Sequence, residues 1–292
     1  MNLLLMPIHF EQLFSLMQNL SDMRLPNENG VLLPHPKAQI LSRRVWDILM
    51  LLPTNSLLKE SLQNISELDE ATMKSLLNPE SPQKLMYTLY IVDWLGRPAR
   101  LRRHSGLSDA GASQDLSWIN RFIQSGGLKH LFNIFLTGPL QSREGSVWCE
   151  WKQDCLSSLL KLLVQFGVDP QDYEALADQL IEVSAAPRKR LRRYRGRKVS
   201  GATNVGLDKL LVPRLSRTML DLMDVETVMT RMTNVLVETS CAYKDQQVLY
   251  KTGLYGRAQV VHFAISFLVS WVFSDEDGIE SALFSSNGLP AW

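Results

Sequence analysis

Apolar residues in this chain recur at spacings of three and four almost from end to end, a period that fits helices and little else. Over residues 6–20, Phe10, Leu13, Phe14 and Met17 fall on one helical face. Residues 37–52 set Ile40, Leu41, Val45, Ile48, Leu49 and Leu52 together. Pro53 ends that helix, because proline lacks an amide donor and restricts the residue before it. Short helices follow over 56–65 and 69–77. Ser81-Pro82 is an N-cap and first-turn pair opening a helix to about Leu95, with Leu85, Leu89 and Val92 inward. Gly96 and Pro98 stop it. The spacing then predicts a polar loop over 97–113 and helices over 114–124, 128–136 and 148–166. Another runs from Asp169-Pro170 to Val183, and a last group covers 207–222, 225–241 and 255–273. Runs of Val, Ile and Thr with a period of two are nearly absent. The expected fold class is all-α.

Of the 292 residues, 45% are apolar, enough to bury a large core and to exclude disorder throughout. The length suits two ordinary domains or one elongated array. Each helix reads as amphipathic and none is apolar all round over a long span, which favours stacked helical pairs and triples. Ile123-Gln124-Ser125-Gly126-Gly127-Leu128-Lys129-His130-Leu131 joins two helices through a Gly-Gly break. Such a junction is typical of armadillo-like repeats. No second clean copy occurs, so the expected architecture is an armadillo-like helical-repeat solenoid with degenerate repeats. Residues 1–184 would form helical repeats, 185–206 a basic flexible linker, and 207–292 further repeats, cut short.

The net charge is +1, from 31 basic and 30 acidic residues, but its distribution is uneven. Arg188, Lys189, Arg190, Arg192, Arg193, Arg195, Arg197 and Lys198 carry eight positive charges within eleven residues, leaving −7 for the rest. Three readings stand. The segment is a solvated linker, or it binds an acidic protein surface or acts as a nuclear-localisation-like patch, or it contacts nucleic acid. Tyr194 is its sole aromatic, so the stacking platform of a single-strand binder is lacking and nucleic acid is the weakest of the three. The first eleven residues have no basic n-region and do not read as a signal peptide. The most apolar stretch, residues 258–273, contains Gln259 and His262 and falls short of the roughly 20 residues a membrane span needs. A buried helix is the reading, with no membrane partner. Three cysteines do not make a disulfide framework, which fits the cytoplasm or nucleus.

Phosphate loops, dinucleotide fingerprints, zinc-protease helices and nucleophile elbows are all missing. Cys149 and Cys155 lie six residues apart, a turn of roughly 600° along a helix, so their thiols diverge. They read as ordinary helix cysteines rather than metal ligands or nucleophiles, and Cys241 reads as core. His9, His35, His104, His130 and His262 are scattered without a local acid or thiol partner. His130 reads as a partly exposed helix residue and His262 as a hydrogen-bonded core residue. Trp46, Trp94, Trp148 and Trp151 read as packing anchors, with one end of a binding surface as the alternative. No catalytic residue, metal set or cofactor is expected.

Four segments carry a resemblance: VWDILMLLPT at 45–54, LMYTLYIVDW at 85–94, FIQSGGL at 122–128 and WKQDCLSSLL at 151–160. Together they resemble the giant ubiquitin carboxyl-terminal hydrolases, the fat-facets-like group, over residues 37–167. The resemblance implies a very long cysteine deubiquitinase with armadillo-like arms around a papain-like catalytic domain, and it assigns these segments to an arm. The family's catalytic cysteine sits in an Asn-Thr-Cys-Tyr-type box, with a histidine box far downstream. None of Cys149, Cys155 or Cys241 has that context, so no catalytic residue carries over. The chain is then expected to be a fragment or truncated product, inactive alone, in keeping with its end at residues 288–292. The implied partners are substrates or adaptors of the ubiquitin pathway and the rest of the parent chain. Two rivals stand beside this reading. One is a thiol hydrolase using one of the three cysteines. The other is a standalone helical adaptor for nuclear transport or RNA that uses residues 188–198.

Overall fold

A computed structural model of the chain describes residues 6–26, 28, 30, 32–64, 70–97, 115–140, 149–169, 172, 213–241 and 251–274. Its helices, in order, are α1 (Pro7–Asp22), α2 (Pro36–Leu51), α3 (Ser56–Gln63), α4 (Glu70–Leu76), α5 (Pro82–Gly96) and α6 (Asp115–Gln124). Then come α7 (Gly127–Thr137), α8 (Glu150–Gly167), α9 (Arg217–Leu220), α10 (Val225–Cys241) and α11 (Lys251–Val272). Local chemistry fixes several starts. Proline opens α1, α2 and α5, where a missing amide costs nothing. Asn55 Oδ1 accepts from the Leu58 amide at 3.1 Å, and Ser216 Oγ accepts from the Met219 amide at 3.3 Å. Ser81 makes no such side-chain cap, so Pro82 alone marks the start of α5.

The longest helices organise the packing. α1 lies on α2, and α5 packs against α1, α3, α6 and, along most of its length, α8. The next neighbour of α8 is α11, with α7 and α10 underneath them. So α5, α8 and α11 form a row, and one apolar core runs from Phe10 through Tyr87, Phe122, Trp151 and Phe166 to Phe267 and Trp271. The Cβ that Gly96 lacks would fall 2.4 Å from the Phe166 ring, so α5 and α8 approach this closely only because residue 96 is glycine. Gly126, at φ +85°, swings α7 away from α6. The chain then re-enters beside the end of α8: Ser216 N–H donates to Gly167 O at 2.7 Å and Asp169 N–H to Arg214 O at 2.8 Å.

Three features depart from the sequence reading. A two-stranded antiparallel hairpin, β1 (Arg24–Pro26) with β2 (Leu32–Pro34), joins α1 to α2. Three-residue strands are too short to show alternation, and their prolines limit them to an edge. The helix expected over 207–222 is reduced, among the described residues, to α9. Pro213 removes a donor, Leu215 bridges to Val168, and Ser216 caps a new start. Third, α2 does not bury the expected face. Ala38, Ser42, Val45 and Leu49 point inward, while Ile40, Leu41 and Ile48 point out. The expected loop at 98–113, all but the first residues of the helix to Val183, residues 188–198, Trp148, His104 and the side chain of Cys241 lie outside the described residues.

Candidate functional site

The thiols are the first groups to weigh, since the family that the four segments resemble uses a catalytic cysteine. Cys155 sits in the middle of α8, fully buried, and its Sγ–H donates to Pro82 O at 3.0 Å. Burial, and then the Asp154 carboxylate beside it, push its pKa well above the ordinary thiol value. Cys149 stands just before α8, and burial raises its pKa too, against the Lys152 and Trp151 amides. A nucleophilic cysteine needs the opposite, a lowered pKa, which neither thiol has even though Cys149 is partly exposed near Lys152 and Arg43. The described histidines are engaged elsewhere. His9 bonds Gln12, His35 caps α2 through Ala38, and His130 Nε2 lies 3.4 Å from Leu77 O. His262 is exposed with its ring against Phe263, not in the core as its apolar neighbours suggested. Among the described residues no three His, Cys, Asp or Glu side chains gather as a metal site.

Charge is concentrated between helices. Arg43 of α2 reaches Asp154 Oδ2 at 2.7 Å and Glu150 Oε2 at 3.4 Å, both on α8. Its guanidinium lies 3.9 Å from the Trp151 ring centroid. Trp46 meets the same indole edge-on at 5.4 Å. Burial raises the Glu150 and Asp154 pKa values, and Arg43 opposes that rise. Asp93 of α5 takes Lys161 of α8 at 2.9 Å on both oxygens, and Arg97 from just past the end of α5. Arg231 of α10 donates through Nε to Phe135 O at 2.7 Å, satisfying a carbonyl in the last turn of α7. Burial lowers its pKa to about 10. These groups join α2, α5 and α10 to the helices they cover. Trp151 is therefore a packing anchor, while the basic residues from Arg188 to Lys198 lie outside the described residues.

The outer side of α2 shows Ile40, Leu41, Ile48 and Leu51, the last 82% exposed, with Arg44 and Asp47 between them. α11 shows Ile265, Val269 and Val272 opposite its buried Val260, Ala264, Phe267 and Trp271. The sequence reading missed the outward stripe of α2. Its signal was the run Ala38, Ser42, Val45, Leu49, which accounts for an inner face without the isoleucines. Among the described residues no helix is long and apolar enough to cross a membrane.

With neither described cysteine, Cys149 nor Cys155, set up as a nucleophile, the chain is similar to ubiquitin carboxyl-terminal hydrolases. The chain is 32% identical to ubiquitin carboxyl-terminal hydrolase 34 of Homo sapiens over 321 aligned positions, covering 100% of the chain and 9% of that protein. The Mus musculus hydrolase 34 gives the same identity and coverage. The Drosophila melanogaster ubiquitin carboxyl-terminal hydrolase puf is 24% identical over 422 positions, covering 94% of the chain and 10% of that protein. The chain thus spans about a tenth of the curated relatives it matches. No family model matches it, and no solved structure matches it. Its homologues are ubiquitin carboxyl-terminal hydrolases, as the four segments implied.

Proposed function

We propose that this chain is a non-catalytic, armadillo-like segment of a cysteine deubiquitinase of the ubiquitin carboxyl-terminal hydrolase family. Its role is to present a protein-binding surface to substrates or adaptors of the ubiquitin pathway, in the cytoplasm or nucleus. The observation that carries the reading is alignment along the whole chain with only 9% of hydrolase 34. The side-by-side row α5, α8, α11, with a Gly-Gly turn between α6 and α7, supports the repeat architecture. The buried, high-pKa Cys155 supports the absence of catalysis. The finer placement, in the fat-facets-like group and nearest to ubiquitin carboxyl-terminal hydrolase 24, rests on the four quoted segments alone.

Two measurements test this. The purified chain should not turn over a fluorogenic ubiquitin substrate, and turnover abolished by one Cys→Ala change would overturn the reading. A cytosolic pull-down, run beside a variant with the eight basic residues of 188–198 changed to Gln or Ser, should retain the same ubiquitin-pathway proteins with both forms. Proteins lost only with the variant would move function to the basic segment.

A further inference from the structure

The outward stripe of α2 has an internal symmetry. Ile40, Arg44, Asp47 and Leu51 recur at spacings of four, three and four, the seam of a helix that meets another helix lengthwise. Leu41 and Ile48 widen the seam on one edge, each 51% exposed. Arg44 and Asp47 are also exposed, and 3.2 Å apart in one chain. The order is apolar, basic, acidic, apolar. Turned end for end, the stripe therefore presents an apolar group to each apolar group and an acid to each base. An antiparallel pairing about a two-fold axis at the level of Val45 and Trp46 sets Ile40 opposite Leu51 and Arg44 opposite Asp47, twice over. The inner stripe stays where it is, because Val45 and Leu49 are buried and Ser42 Oγ donates to Met17 O at 3.0 Å.

We infer that the outer face of α2 is a self-association surface, whose occupant is a second copy of this chain packed antiparallel. Charge complementarity decides for a second copy. A one-sided apolar partner has no need of an acid and a base in mirrored order at the centre of the stripe, whereas an isologous interface requires each residue to meet its counterpart. One helix face is at the small end of interface sizes, so the dimer is a weak one, to be sought at high protein concentration.

Sedimentation velocity of the full 292-residue chain from about 1 to 200 µM tests this. The expected result is a concentration-dependent monomer–dimer equilibrium. Leu51→Glu should leave a monomer with unchanged helix content and melting temperature, since the side chain touches solvent in the monomer. Arg44→Asp and Asp47→Arg should each weaken the dimer by about tenfold or more, and the double exchange should restore it to within about threefold. A chain that stays monomeric at the highest concentration overturns the inference. So does a dimer that survives Leu51→Glu, or a double exchange that restores nothing. The charge pair also guards the test against apolar aggregation, which would not follow the sign of two exposed residues.

Discussion

Arg43 shows how much one residue can hold. It is bonded to two carboxylates of α8 while lying over the Trp151 ring, so removing it takes from Glu150 and Asp154 the cation bonded to both in a largely buried seam. Arg43→Ala should cost about 2–4 kcal/mol, a broken pair rather than a lost surface bridge. The pH dependence follows from the two acids. Burial raises both pKa values above those of the unfolded chain, so the folded state holds protons that the unfolded state has released. The associated stability is complete below the ordinary carboxylate range, about pH 4, and is lost as pH rises through the elevated values. Thermal melts from pH 4.5 to 7.5 should show Glu150→Gln losing less stability towards neutral pH than the wild type. Arg43→Ala should lose more, because Arg43 opposes the rise. Parallel curves for all three proteins would refute this account of the seam.

At the level of the element, α2 carries apolar residues on both sides, and only packing says which side is core. Leu49 is 1% exposed and Leu51 is 82% exposed, two positions apart on the same helix. Leu49→Ala should cost about 2–5 kcal/mol, and Leu51→Ala should stay within about 0.5 kcal/mol, both read from denaturant midpoints. Equal costs would mean that the helix is rotated from its described position. The same helix explains what could be read in advance. α5 was legible because Leu85, Leu89 and Val92 form one unbroken inner stripe, and the α6–α7 turn because two adjacent glycines mark it. The face of α2 was not, because its inner stripe includes Ser42, whose hydroxyl is satisfied by a carbonyl of α1 that no local pattern reveals. In the described part of the helix expected over 207–222, residues 213–216 are not helical for a similar reason. Leu215 is buried as an extended bridge to Val168, so its apolar character reflected a tertiary contact and not a helical period. The exposed His262 had only its apolar neighbours to go by.

Over the whole molecule, α8 is the shared wall. α5 covers one side of it, α11 another and α7 a third, and the apolar core crosses it without a gap. Two polar links join α11 to α8. Arg257 Nε reaches Gln153 Oε1 at 3.4 Å and Ser157 Oγ reaches Gln259 Oε1 at 3.4 Å, and beside them Phe267 and Trp271 are fully buried. An array held by neighbour contacts can open at one end, whereas a core continuous through α8 makes loss of α11 expose the helix that also supports α5. Cys155 reports on this, because its thiol is sealed under Pro82 on the α5 side and is reached only by opening. Phe267→Ala should destabilise the chain by about 3 kcal/mol or more, and a change of that size corresponds to roughly a hundredfold in an opening equilibrium. Under conditions where labelling tracks that equilibrium, modification of Cys155 by a small thiol reagent should therefore accelerate about a hundredfold, in step with the lowered unfolding free energy. If Phe267→Ala lowers the unfolding midpoint but leaves Cys155 labelling unchanged, α11 opens by itself and the three long helices do not share one cooperative unit.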